Sequence, residues 1–374
     1  MLMWFIIMIV SLLLMAASLA YLASRICMFA FVKRYSKGSR RQKIATAAAI
    51  ALGSYLLITI AWGVPNAFVV ALYFSLAWLA SDLIFLILEK TGLFHSEKYY
   101  SGLVAVIIAI SSLAYGWHNA HNVWKTEYNV YTPKITEQLK IAMFADSHTG
   151  TTFNADGFAR HIASIQSENP DILIVAGDFV DDDTSRHDMI ETSRILGEMK
   201  TRYGKYLVFG NHDKGYYGAE KRGFTYDELM EELLKNGVSV LLDEAVPVGD
   251  NLYVIGRLDY SVEKEQGGKR KSMNELMRQT DGGKYVIVAD HQPTDYDNQA
   301  ESGADLVLSG HTHGGQLFPF NQVGKWIGAN DLVYGHERRK NTDFIVTSGI
   351  SDWAIKFKTG TRSEYVIINV IPQK

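Results

Sequence analysis

Asp171-Ile172-Leu173-Ile174-Val175-Ala176-Gly177-Asp178-Phe179-Val180-Asp181 decides how the rest of the chain reads. Residues 172–176 form an unbroken apolar run of strand length, and Gly177-Asp178 follows without a spacer. A carboxylate at the carboxyl end of a buried strand stands where open α/β sheets gather their functional groups. Outward from this stretch, similar runs fall at 141–145, 206–209, 252–255, 285–289, 306–308, 344–346 and 365–370. Between them, 157–167, 189–203 and 226–236 read as helices, and the alternation is that of an α/β domain covering 140–374. Residues 261–283 are polar and glycine-containing, with a short helical segment near 273–277, and read as an inserted surface loop.

Five strands run directly into residues suited to metal binding or acid–base work. In chain order these are Asp146-Ser147-His148, Gly177-Asp178 with Asp181, Gly210-Asn211-His212-Asp213, His291, and Gly310-His311-Thr312-His313. Though spread along the chain, they can meet at one edge of one sheet. His95, His161, His187 and His336 lack such surroundings, and His118 and His121 flank the end of an apolar segment, so none of these is read as a ligand. Cys27 is the only cysteine, which excludes an intramolecular disulfide and a cysteine zinc site.

The first third has a different composition. Residues 1–24 carry no charge, and at about 1.5 Å per residue they are long enough for a hydrocarbon core of about 30 Å. No Lys or Arg precedes them and further apolar segments follow, which favours a spanning helix over a cleaved signal peptide. Residues 1–120 thus read as a membrane region of four helices, 3–24, 44–62, 67–88 and 101–117, with Gly63-Val64-Pro65-Asn66 as a tight connection and 121–139 as a linker.

Lys33, Arg34, Lys37, Arg40, Arg41 and Lys43 crowd the first connection, whereas the second has no charge. The positive-inside rule places the first in the cytoplasm; the third, with Lys90 and Lys98 beside Glu89 and Glu97, falls on the same side. A multi-pass protein of the cell membrane with its large domain outside the cytoplasm is the expectation. Arg25 and Asp82 lie inside apolar stretches, where an unpaired charge costs at least about 2.5 kcal/mol. They sit at matching depths, so a pairing that locks the first span to the third is expected.

Hydrolysis of a phosphate ester needs a nucleophile and neutralisation of phosphoryl charge. Two divalent ions about 3.5–4 Å apart supply both through a bridging hydroxide. A site that mixes imidazoles with carboxylates suits manganese, iron or zinc. The five motifs, in their order, resemble the calcineurin-like metallophosphoesterases, specifically a bacterial membrane-associated branch whose Gly-His-x-His continues as it does here into Gly314-Gly315-Gln316. The resemblance implies a β-sandwich with flanking helices, preceded here by the four-helix bundle. It implies a first ion on Asp146, His148, Asp178 and His313, with Asp178 bridging to a second on Asn211, His291 and His311. It further implies that His212 acts near the leaving-group oxygen, with Asp213 orienting it, and that Asp181 lies beside the ligands. The glycines after His313 are expected to let backbone approach the ions.

The implied substrate is a phosphorylated small molecule or lipid, as a monoester, diester or pyrophosphate, and the membrane region favours an envelope or lipid-linked compound. Relatives hydrolyse a UDP-diacylglucosamine-like pyrophosphate met on the cytoplasmic face, which the expected topology argues against. The net charge of -3 and the lack of a basic stripe interleaved with aromatics argue against a nucleic-acid substrate. The rival class is a transporter or receptor whose bundle is the working part and whose metal domain is regulatory. Few polar residues beyond Arg25 and Asp82 are available to line such a bundle.

Overall fold

A computed structural model describes residues 2–36, 39–96 and 98–373; Lys37 and Glu97, read above into the short connections, lie outside the described residues. The chain divides into two compact units, Met1–Gly116 and Trp117–Lys374.

Four stretches of helix among the described residues are long and apolar enough to cross a membrane: Ile9–Ile26, Arg40–Trp62, Val64–Lys90 and Tyr100–His121. The second connection is shorter than the sequence suggested. Val64, Pro65 and Asn66 are already helical and Gly63 alone breaks the chain, because proline in a first helical turn gives up no hydrogen bond. Alanines 47, 51, 71, 77 and 105 are buried with Trp78, as expected where helices pack closely on small residues. Leu13, Leu57 and Ile60 are 66%, 69% and 83% exposed, an outward apolar surface that suits lipid. Within this unit Arg25 Nε lies 3.0 Å from Asp82 Oδ2, so the expected pair forms. Tyr21 Oη (3.2 Å) and Ser101 Oγ (3.0 Å) donate to the same carboxylate.

The second unit is a sandwich of two six-stranded sheets. One sheet is built from β1 (Trp124–Thr132), β2 (Leu139–Phe144), β3 (Ile172–Ala176), β4 (Lys205–Val208), β5 (Ser239–Val240) and β12 (Glu364–Pro372), in the order β1-β12-β2-β3-β4-β5. The other holds β6 (Glu244–Val248), β7 (Leu252–Gly256), β8 (Tyr285–Ala289), β9 (Leu306–Ser309), β10 (Gly335–Arg339) and β11 (Thr342–Val346), ordered β10-β11-β9-β8-β7-β6. Pairing through β2-β3-β4 and β7-β8-β9-β11 is parallel, so these strands deliver their carboxyl ends to a common edge.

Ile141, Met143 and Ile174 meet Val254, Ile287 and Leu308 between the sheets. Helices Ala155–Ser167, Arg186–Glu198 and Tyr226–Lys235 cover one outer face through Phe158, Leu196 and Leu229, and Tyr296–Ser302 covers the other through Tyr296.

Residues 121–139, expected as a linker, contain β1, which pairs with β12 over nine residues. Its exposed polar side chains, Lys125 and Asn129 among them, hide it from an apolar-run reading. The helix expected over 189–203 stops at Glu198, because Met199 turns extended at ψ 133°. The segment 261–283 is more than a surface loop, since Met273 and Leu276 are buried in the core beside the second sheet.

Candidate metal centre

All five motifs lie in the turns after β2, β3, β4, β8 and β9, and their donor atoms converge. Asp146, His148 and His313 bring ligand atoms within 4.8 Å of one another, as do Asp178, His291 and His311. Asp178 stands between the groups, its Oδ2 3.1 Å from His291 Nε2 and 3.7 Å from His148 Nε2. Its other oxygen accepts the backbone N–H of His212 at 2.8 Å. The backbone N–H of His311 donates to both oxygens of Asp146, each at 3.0 Å.

The turns are strained. Asp146, His148, Asp178, His311 and His313 all have positive φ, between 36° and 69°, a conformation that costs non-glycine residues about 1–3 kcal/mol each. Five such residues in one place are sustained only by the packing of the sandwich below. Gly210 and Gly310 permit the crowding, since a Cβ on the first would collide with Asp178 Oδ1 and on the second would come 2.7 Å from Asp146 Oδ2. Gly314 and Gly315 serve a different purpose from the one expected: side chains there would strike Thr361 and the Asn321 backbone. They let the following loop fold back on itself.

The donor set fits two cations. Nε2 of His148 and Oδ1 of Asn211 are buried without a hydrogen-bond partner among the described residues, while Nδ1 of His148 and Nε2 of His291 face carboxylates at 3.2 and 3.1 Å. A buried polar atom left unpaired costs about 1–3 kcal/mol, and here two stand beside carboxylates that two more imidazole nitrogens already face. His291 Nδ1 donates to Ala176 O at 2.7 Å, which leaves Nε2 as the ligating atom. Asn211 Nδ2 donates to Tyr216 Oη at 3.0 Å and turns its oxygen towards the centre.

The electrostatics agree. Burial opposes a proton on His148, but Asp181, Asp178 and Asp146 outweigh it and lift the ring to about 9. His291 is likewise raised, against burial, by Asp178 and Asp146. Burial and a charged His291 push His311 down to about 3. Two imidazoles that take up protons mark a concentration of negative charge suited to cations.

His212 and Asp213 part ways. The half-buried His212 ring contacts those of His148, Tyr216 and Trp353, with centroids 4.9, 5.2 and 5.4 Å away, and burial lowers its pKa. Asp213 does not orient it, since among the described residues no hydrogen bond joins them. Its carboxylate instead accepts Val180 N at 2.9 Å and Gly210 N at 2.7 Å, tying together the turns that carry Asp178 and Asn211. Asp181 lies beside the ligands, its Oδ2 3.2 Å from His148 Nδ1.

Sequence reasoning missed Tyr216, Trp353 and the fully buried Lys358, because no motif marks them. Asp352 Oδ1 lies 3.6 Å from His313 Nδ1 and 3.2 Å from Lys358 Nζ.

A double-sheet sandwich whose strand ends gather two Asp/His clusters around one shared carboxylate defines a dinuclear metal hydrolase. The family model for calcineurin-like phosphoesterases matches residues 139–315. A metallophosphoesterase of Aquifex aeolicus is 32% identical over 57% of this chain and 78% of its own length. A metallophosphoesterase of Helicobacter pylori is 26% identical over 76% of this chain and 75% of its own length. A Danio rerio protein described as a transmembrane protein with metallophosphoesterase domain is 29% identical over 74% of this chain and 63% of its own length. The chain belongs to the calcineurin-like phosphoesterase family and is a metal-dependent phosphoesterase, a class that uses two divalent metal ions.

Proposed function

We propose that this chain is a membrane-anchored phosphoesterase that cleaves a phosphate ester or pyrophosphate of a lipid-linked or cell-envelope compound outside the cytoplasm. The observation that carries the reading is the placement of the Asp178 carboxylate between His148 of one donor cluster and His291 of the other. Asp146, His148, Asp178 and His313 would hold one ion, and Asp178, Asn211, His291 and His311 the second. Bound there, two divalent ions supply Lewis acidity towards the phosphoryl oxygens and acidify a water.

The remaining steps fall to the protein. His212, half-buried against Trp353 and Tyr216, stands beside the first cluster with a ring kept neutral by burial. Its N–H serves the leaving-group oxygen as a hydrogen-bond donor that stabilises the charge developing there. Asp178 anchors the turn carrying His212 through the backbone N–H of that residue. Trp353, 46% exposed, offers an apolar wall to the group attached to the phosphate.

The four apolar helices support anchoring, and the basic first connection supports an extracytoplasmic domain. Metal analysis and turnover of a model phosphodiester by detergent-purified protein test the chemistry. Asp178→Asn should lose turnover and metal together, whereas His212→Asn should slow turnover with metal content intact. Near-normal turnover by Asp178→Asn would overturn the reading.

A further inference from the structure

A cavity of about 990 Å³ is lined in part by Thr294 and Asp295, from the loop that follows His291. Seven of its lining residues are Lys or Arg and four are Asp or Glu, so the wall carries excess positive charge. Its floor is built around two arginines that are almost wholly removed from water, Arg257 (3% exposed) and Arg270 (5%). One buried carboxylate holds both: Asp290 Oδ2 accepts Arg257 Nη1 at 2.9 Å and Oδ1 accepts Arg270 Nη1 at 3.1 Å. A second carboxylate, Asp295, reaches Arg257 Nη1 at 3.1 Å.

Neither Nε has a hydrogen-bond partner among the described residues, and both atoms are buried beneath the cavity surface. The carboxylate nearest to Arg270 Nε, on Glu263, is 3.9 Å away, beyond hydrogen-bond reach. Paired guanidiniums fixed in the lining of a concave wall with excess positive charge form a receptor for a multiply charged oxyanion. Lys264 and Lys269, on the same wall, form no salt bridge among the described residues and add two exposed ammonium groups.

The cavity and the metal centre share a loop. His291 is three residues before Thr294 of the cavity wall, and Gln292 donates to Asp259 at 3.0 and 3.1 Å, next to the wall residue Tyr260. A loop shared by a candidate ligand and the cavity wall is the arrangement that a substrate with two phosphates would use.

We infer that the cavity binds a second phosphate group of the substrate, so that preferred substrates carry two phosphates, one cleaved and one held by Arg257, Arg270 and the two lysines. The inference rests on the phosphoesterase reading. It excludes simple monophosphate esters as the best substrates, and it assigns specificity to side chains outside the metal centre.

The test uses full-length, metal-loaded protein in detergent and a matched pair of probes, thymidine 3′-(p-nitrophenyl phosphate) with and without a 5′-phosphate. The wild type should show a KM at least about tenfold lower for the 5′-phosphorylated ester, an advantage of 1.4 kcal/mol or more. The exposed-residue variant Lys264→Ala/Lys269→Ala should shrink that ratio several-fold, and Arg270→Lys should shrink it as well. Equal KM values for the two esters in the wild type, or a ratio untouched by both variants, would overturn the inference while leaving the phosphoesterase reading intact. Should neither ester turn over, that reading is the one in trouble, and calorimetry with inorganic pyrophosphate on metal-free protein then decides the cavity. Binding weakened by Lys264→Ala/Lys269→Ala supports an anion receptor, and no binding sinks it. Pyrophosphate binding together with equal KM values would make the cavity an independent anion site and overturn its assignment to the substrate.

Discussion

Lys358 Nζ lies 3.2 Å from Asp352 Oδ1, with the lysine side chain wholly buried and that of the aspartate 1% exposed. The ammonium also donates to Ser348 O at 2.7 Å, Ser351 O at 3.1 Å and Ser363 Oγ at 3.1 Å. A buried charge is tolerated only when so fully satisfied, and removing one partner of such a pair costs about 3–5 kcal/mol. Because Ser351 O accepts both Lys358 Nζ and His313 Nδ1, the latter at 3.3 Å, the buried pair positions a candidate metal ligand from behind. Lys358→Met should lower the melting temperature sharply and reduce bound metal. Adding Asp352→Leu should recover only part of the stability, since the carbonyls of Ser348, Gly349 and Ser351 lose their donor. Thermal melts with metal analysis on the same samples check both.

Asp213 gives a cleaner contrast. Its two oxygens each accept a backbone N–H, from Val180 and Gly210, and an asparagine can accept only one. Asp213→Asn should destabilise the fold by about 1–3 kcal/mol and loosen metal binding. His212→Asn should do neither. If Asp213→Asn instead left metal content and melting temperature unchanged while slowing turnover as much as His212→Asn, the aspartate would act through the histidine, contrary to the geometry.

The charge on His148 makes metal binding compete with protons. Surrounding carboxylates hold its folded pKa near 9 against an ordinary 6.5. Without metal, this stabilisation is present in full below about 6.5 and is lost as pH rises through about 9, since the unfolded chain releases the proton first. Metal needs the neutral ring, so the loaded protein has the opposite trend, and affinity should rise up to about tenfold per pH unit across that window for one displaced proton. Melting temperatures of metal-free and metal-loaded protein at pH 6.5 and 9 should therefore diverge as pH rises. A gap that narrows would refute the competition.

How far the fold and site were legible depends on which face of each strand is covered. Strands β3 and β8 are buried throughout and read as continuous apolar runs. Strands β1, β6 and β10 lie at sheet edges, where solvent allows Lys125, Pro247 and Arg338, so no periodicity announces them. The ligand candidates stood out because each follows a strand. The neighbours His212 and Asp213 were read as partners from adjacency, yet the turn sends them opposite ways. The Lys358–Asp352 pair and the Arg257–Asp290–Arg270 cluster are products of tertiary packing alone, as nothing local distinguishes a lysine that will be buried from one that will not.

In the first unit, Arg25 and Asp82 form a pair that Tyr21 and Ser101 complete on the carboxylate side. Asp82→Leu removes the counter-charge and leaves Arg25 among apolar helices, where an unpaired charge costs at least about 2.5 kcal/mol. Replacing both removes the charge along with its partner, and such isosteric apolar swaps are often neutral. Asp82→Leu alone should therefore lower the detergent melting temperature and membrane yield, and Arg25→Leu/Asp82→Leu should restore most of both. If the double variant stays inserted and its phosphodiester turnover matches the wild type, the pair is an element of helix packing. If it inserts normally yet loses turnover, the charges themselves matter to function, and the bundle is more than an anchor.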